Sequence, residues 1–167
     1  MAARMAVATK AFRRYGMPER TARWLACVMW FECVALAAAL VAVCLPTSAM
    51  QAIHAEMGLG RMPQAPIVDY LARSLSLVYA SMAPLCGFLA RDVRRYRDVI
   101  AFQATVKLVA GGGLLALDIA IGMPLFWTIC EGPLIMALSI AVLLMVRELR
   151  AGLEAARTAH GSDGLLS

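Results

Sequence analysis

The side chains able to do chemistry in this sequence sit where ionised groups are expensive. Glu32, Asp69, Arg73, Lys107, Asp118 and Glu131 all fall inside or at the edges of long apolar runs. In a membrane a charge at such a place needs a partner, and it marks a candidate for binding, transport or packing. Asp69 and Arg73 are four residues apart and so share one helical face. Lys107 and Asp118 are eleven apart, three turns with about 20° of drift, so both face the same side.

Depth sorts these groups into two layers. Glu32 and Lys107 each lie about eight residues from the same end of their runs, near 12 Å at the helical rise. One acid and one base at equal depth are expected to form an intramembrane ion pair. The other layer holds Asp69, Arg73, Asp118 and Glu131, with Tyr70 and Thr128 beside them. Three acids share one arginine there. Arg73 is expected to be the hub, reaching Asp118 and Glu131 while Asp69 reinforces it. Such a cluster could receive the polar head of a ligand, or it could only hold the helices in register.

Other chemistries lack their motifs. The sequence has no HExxH, GxSxG or CxxC pattern and no paired histidines, so no catalytic residue, metal site or cofactor is predicted. Its five cysteines, Cys27, Cys33, Cys44, Cys86 and Cys130, fall in or at the ends of the apolar runs. They read as small packing residues, with a Cys44–Cys130 disulfide left open.

Four apolar runs must position these groups: 24–45, 67–90, 99–121 and 125–146. Each corresponds to roughly 33–36 Å of helix, enough to cross a hydrocarbon core of about 30 Å. The chain is 167 residues long and 62% hydrophobic, with a mean hydropathy of +0.73, which exceeds the apolar share of a soluble domain. Its net charge of +5 is patterned rather than spread. Arginines and lysines precede the first run, fill the 91–97 turn and follow the fourth run, whereas the other two connections carry only Arg61. This alternation predicts that both termini are cytoplasmic. The basic residues are placed to meet anionic headgroups, and no recognition module suggests nucleic acid.

The expected fold is therefore all-α: a four-helix up-down transmembrane bundle, N-in and C-in. Residues 1–23 form a basic cytoplasmic juxtamembrane segment, with helix one beginning near Met17. Residues 24–146 form the membrane domain, and 147–167 a cytoplasmic tail. The 46–66 loop is expected to carry a short amphipathic helix on the outer surface, opened by a capping box at Ser48 and Gln51. In span one, Val28, Glu32, Ala35, Ala39 and Ala42 form the expected buried stripe. In span two it is Ser76, Ala80, Ala83 and Gly87. Gly111, Gly112 and Gly113 thin span three for a close neighbour, and Pro133 interrupts span four.

The runs IHAEMGLGRMPQAPIVDYLARSLSLVYA, RDVRRYR and LDIAIGMPLFWTICEGP resemble a family of uncharacterised small bacterial four-span membrane proteins. The layout is also loosely similar to DoxX-like membrane proteins. The resemblance implies a bacterial inner-membrane location and supplies no catalytic residues. The favoured expectation is a binding or accessory protein for an amphipathic ligand, a lipid or quinone. Its partners would be membrane lipids and a membrane-protein partner or second copy. The alternatives are a small proton-coupled transporter or channel, and charged layers that are purely structural. An enzyme ranks last.

Overall fold

The computed structural model describes the backbone of residues 2–163 and the side chains of residues 19–155. Six helices follow in order: α1 (Ala2–Cys44), α2 (Thr47–Glu56), α3 (Pro66–Ala90), α4 (Arg97–Ile121), α5 (Leu125–Cys130) and α6 (Gly132–Asp163). Among the described residues there is no strand. Four segments, Glu19–Cys44, Pro66–Ala90, Arg97–Ile121 and Leu125–Ala155, are long and apolar enough to cross a membrane. They coincide with the four expected spans to within a few residues, apart from a longer fourth. Phe31, Val34, Leu77, Phe102, Val109 and Leu134 are all exposed on their outer faces. Water would not tolerate so continuous an apolar surface, whereas lipid tails do, and the protein is an integral membrane protein.

The helices pair as two antiparallel hairpins. α1 packs chiefly on α3 and α4 on α6, and α1 also touches α6. The shared core lies at the end of the bundle where the basic 91–97 turn sits. Leu25 and Met29 of α1, Cys86 and Leu89 of α3, Ile100 of α4, and Val142, Val146 and Leu149 of α6 are almost fully buried there. Thr21 donates a hydrogen bond to Glu148 across the α1–α6 seam. At the opposite end, near α2 and the α4–α5 turn, each hairpin is held by its own device.

For α4 and α6 that device is glycine. A Cβ on Gly132 would lie 2.8 Å from the Gly111 carbonyl oxygen and 2.9 Å from the Leu115 backbone nitrogen. The backbones therefore touch, as small residues permit in membrane helices. Gly112 and Gly113 have open space instead, so only Gly111 serves the close approach. Gly132→Ala is expected to force the helices apart and to cost about 1–3 kcal/mol, the usual range for overpacking. Thermal unfolding in detergent checks this, with Gly113→Ala as the control expected to change little.

Local signals explain the ends. Gly122 takes φ 76° in the left-handed region, which suits glycine. The N–H groups of Gly122 and Met123 both donate to the Asp118 carbonyl, at 3.0 and 2.9 Å, closing α4. α5 stops at Cys130, Glu131 departs from helical geometry, and α6 restarts at Gly132 with Pro133 second. Pro66 occupies the first position of α3, where its missing N–H is harmless.

Three local expectations are corrected. Helix one starts at Ala2 rather than near Met17; the Ala-, Met- and Arg-rich lead-in favours helix. The side chains of 1–18 and 156–167, and with them much of the basic 1–23 segment and the tail, lie outside the described residues. α2 follows Pro46 with no side-chain cap, so Ser48 and Gln51 form no capping box. On α1 the buried stripe is Ala22, Leu25, Met29 and Glu32, while Ala35 is exposed. Larger apolar residues win the core, and Glu32 stays on the inward face. On α3, Ala80, Ala83 and Gly87 are buried and Ser76 half-buried, on the expected stripe.

Candidate functional site

The first polar layer lies about three turns from the basic end. Glu32 on α1 is buried, and Lys107 on α4 donates to its Oε2. The pair joins helices from the two hairpins. Two further side chains extend it. The Cys86 thiol of α3 faces the same Glu32 oxygen at 3.9 Å, and the Gln103 amide of α4 donates to Cys86 Sγ at 3.5 Å. The network thus ties three helices together. Sequence reasoning missed Cys86 and Gln103, although Gln103 lies one turn from Lys107 on its face.

The second layer, expected as one cluster, is divided between the hairpins. On the α1–α3 side, Arg73 Nε donates to Asp69 Oδ2 at 2.9 Å. Its other nitrogens reach the backbone carbonyls of Val43 and of Leu45, the latter at 2.9 Å, just past the end of α1. Thr47 donates to Asp69 Oδ1 at 3.1 Å. Arg73 is therefore a clamp on the C-terminal end of α1, where unsatisfied carbonyls and the helix dipole both attract a cation. It makes no bond to Asp118 or Glu131, which corrects the expected hub. The hairpin partner of α3 is α1, so the nearest orphan acceptors are α1's own. Tyr70 is 65% exposed and outside this arrangement.

Asp118, Thr128 and Glu131 belong to the other hairpin. Asp118 is 5% exposed, and its Oδ2 is buried with no hydrogen-bond partner. It sits in the last turn of α4, where the dipole adds negative potential. Continuing the register outward from Leu115 against Gly132 brings it level with α5. There Thr128 donates back to the Pro124 carbonyl at 3.4 Å. Glu131 is half-buried at the α5–α6 break. No arginine or lysine occurs anywhere in 108–146. This half-hairpin holds two acids, no cation, and one carboxylate oxygen that nothing satisfies.

The cysteines and His54 have defined places. All five cysteines are free, so Cys44 and Cys130 do not pair. His54 Nδ1 donates to the Gly60 carbonyl at 3.0 Å and closes the loop after α2. Among the described residues no cluster of metal-binding side chains occurs. Compared with protein-family models, with curated proteins and with solved structures, the chain shows no match.

Proposed function

We propose that this protein is a membrane binding or accessory protein whose α4–α5–α6 hairpin receives the polar head of an amphipathic ligand beside Asp118. One observation carries the reading: the buried Asp118 oxygen without a partner. An unsatisfied buried acceptor costs about 1–3 kcal/mol, and more if charged. A ligand that donates a hydrogen bond there recovers it. The surplus of acid selects the head: a quinol hydroxyl or a lipid ammonium group, rather than a phosphate alone. The break at Glu131 and the exposed apolar faces of Leu125 and Ile129 offer the tail a path from the bilayer.

The orientation belongs to the same proposal. With Arg91, Arg94, Arg95 and Arg97 in one turn and Arg147 and Arg150 beyond the fourth span, the basic end faces the cytoplasm. The ligand then enters from the outer leaflet of a bacterial inner membrane, and α2 lies along its surface. The resemblance to small bacterial four-span proteins agrees with this placement.

The test uses Trp127 of α5 as a reporter. Titration of the detergent-purified chain with a short-chain quinol, and separately with phosphatidylethanolamine, should give saturable fluorescence change in the wild type. Asp118→Leu should weaken it about tenfold, the worth of one hydrogen bond to a charged group. Equal titrations for both proteins would remove Asp118 from the site. Saturable binding of neither probe, together with pH-gradient-driven uptake in vesicles, would favour the transporter reading.

A further inference from the structure

A cavity lies at the end of the bundle opposite Asp118 and is independent of it. It has a volume of about 850 Å³ and opens between the α3–α4 turn and the basic end of α6. Four arginines, Arg94, Arg95, Arg97 and Arg150, line it together with three acids, Asp92, Asp98 and Glu154, and with Leu153. This size is in the range of small-molecule sites, and the end of the bundle is where lipid headgroups lie.

The four arginines outnumber the three acids of the lining by one. Arg94 pairs outward with Glu19. Asp98 is shared: Arg150 Nη2 approaches it at 2.7 Å, and Arg97 Nε stands off at 4.0 Å. Arg97 spends another nitrogen on the Arg94 carbonyl at 2.9 Å, which orients its guanidinium. The Arg95 backbone N–H donates to Asp92 Oδ1 at 3.0 Å, while its guanidinium makes no ion pair among the described residues and lies over the Tyr96 ring, 5.5 Å from the centroid. Tyr96 is itself held against Phe88, 4.9 Å between centroids. Two guanidinium groups are thus positioned and short of anion. Guanidinium forks suit phosphate oxygens.

An exposed apolar strip begins one turn along α4 from the cavity. Phe102 stands one turn from Asp98 on the same face of α4 and is 71% exposed. Val99 and Val106 flank it and are exposed as well. A phosphate held by Arg95 and Arg97 would therefore have acyl chains beside this strip. We propose that the cavity is a specific site for the phosphodiester headgroup of an anionic phospholipid, with its tails along Phe102. Cardiolipin carries one phosphate for each of these two guanidinium groups, so it should bind more tightly than phosphatidylglycerol. Basic pockets at the membrane face are suited to such heads.

The experiment is lipid titration of the full chain in detergent, read by native mass spectrometry. The probes are cardiolipin, phosphatidylglycerol, phosphatidylcholine and inorganic phosphate. Cardiolipin should bind at least about tenfold more tightly than phosphatidylcholine, and the Arg95→Gln/Arg97→Gln variant should lose about tenfold or more of it. Arg23→Gln, exposed on α1 at the same end, removes a charge outside the cavity and should keep full binding. Thermal unfolding identifies any variant that fails to fold; Arg95→Gln alone, lacking an ion pair, then serves in its place. Equal losses in Arg23→Gln and the cavity variants would mean diffuse surface attraction and overturn the site. Equal binding of cardiolipin and phosphatidylcholine would also overturn it. Displacement of cardiolipin by inorganic phosphate at equal concentration would assign the cavity to a free anion and overturn the lipid.

Discussion

Replacing Lys107 by methionine is expected to destabilise the protein by about 3–5 kcal/mol, because it leaves Glu32 charged and buried without its partner. Glu32→Leu should cost a similar amount by stranding the ammonium. The double variant should be far milder, since two apolar side chains need no pairing in a membrane interior. Denaturant titration of all four proteins in detergent measures the coupling. The pair is inward: the Glu32 side chain is 9% exposed and that of Lys107 28%. Cys86 and Gln103 crowd the same oxygen and thiol, so Gln103→Leu should reduce stability by about 1 kcal/mol. Single and double substitutions with equal cost would show that the two charges are stabilised separately.

Arg73→Met should lower the thermal stability by more than the loss of any single hydrogen bond of its cluster. Three interactions disappear together: the carboxylate of Asp69 and the carbonyls of Val43 and Leu45. Bonds to a charged group are stronger than neutral ones, and solvent screening reduces them here because Arg73 and Asp69 are only partly buried. Arg73→Lys should recover only part of the loss, since an ammonium cannot span the same fork. Hydrogen exchange adds the location: α2 and the start of α3 should exchange faster, with α4 and α6 unchanged. Asp118→Asn should leave that exchange pattern alone. If Asp118→Asn reproduced the Arg73 phenotype, the single-hub arrangement would be right and the divided one wrong.

The spans were legible because hydropathy is a property of the chain in one dimension. A predominantly apolar run of 22 residues such as 24–45, with Glu32 its one charge, has few alternatives to crossing a bilayer. The Glu32–Lys107 pair was legible for a related reason: in a membrane, depth can be counted along each helix, and a matched acid and base have few other partners. Asp69–Arg73, the Gly122 turn and the Pro133 break are local in sequence and needed only helical geometry. What tertiary structure alone decided is which helix faces which, and how each is rotated. Depth matching placed Arg73, Asp118 and Glu131 in one layer, but a layer has a circumference. Because α3 pairs with α1, and α4 with α6, Arg73 meets the carbonyls at the end of α1 and Asp118 is left alone. Backbone carbonyls occur at every residue and carry no sequence signal, so that choice could not be read from the chain. The rotation of α1, with Leu25 and Met29 inward and Ala35 outward, follows from core volume, which only the assembled neighbours define. The arginine cavity arises in the same way. Its side chains come from a turn and from a helix some fifty residues later, and only the antiparallel docking of α4 on α6 brings Asp98 and Arg150 to one wall.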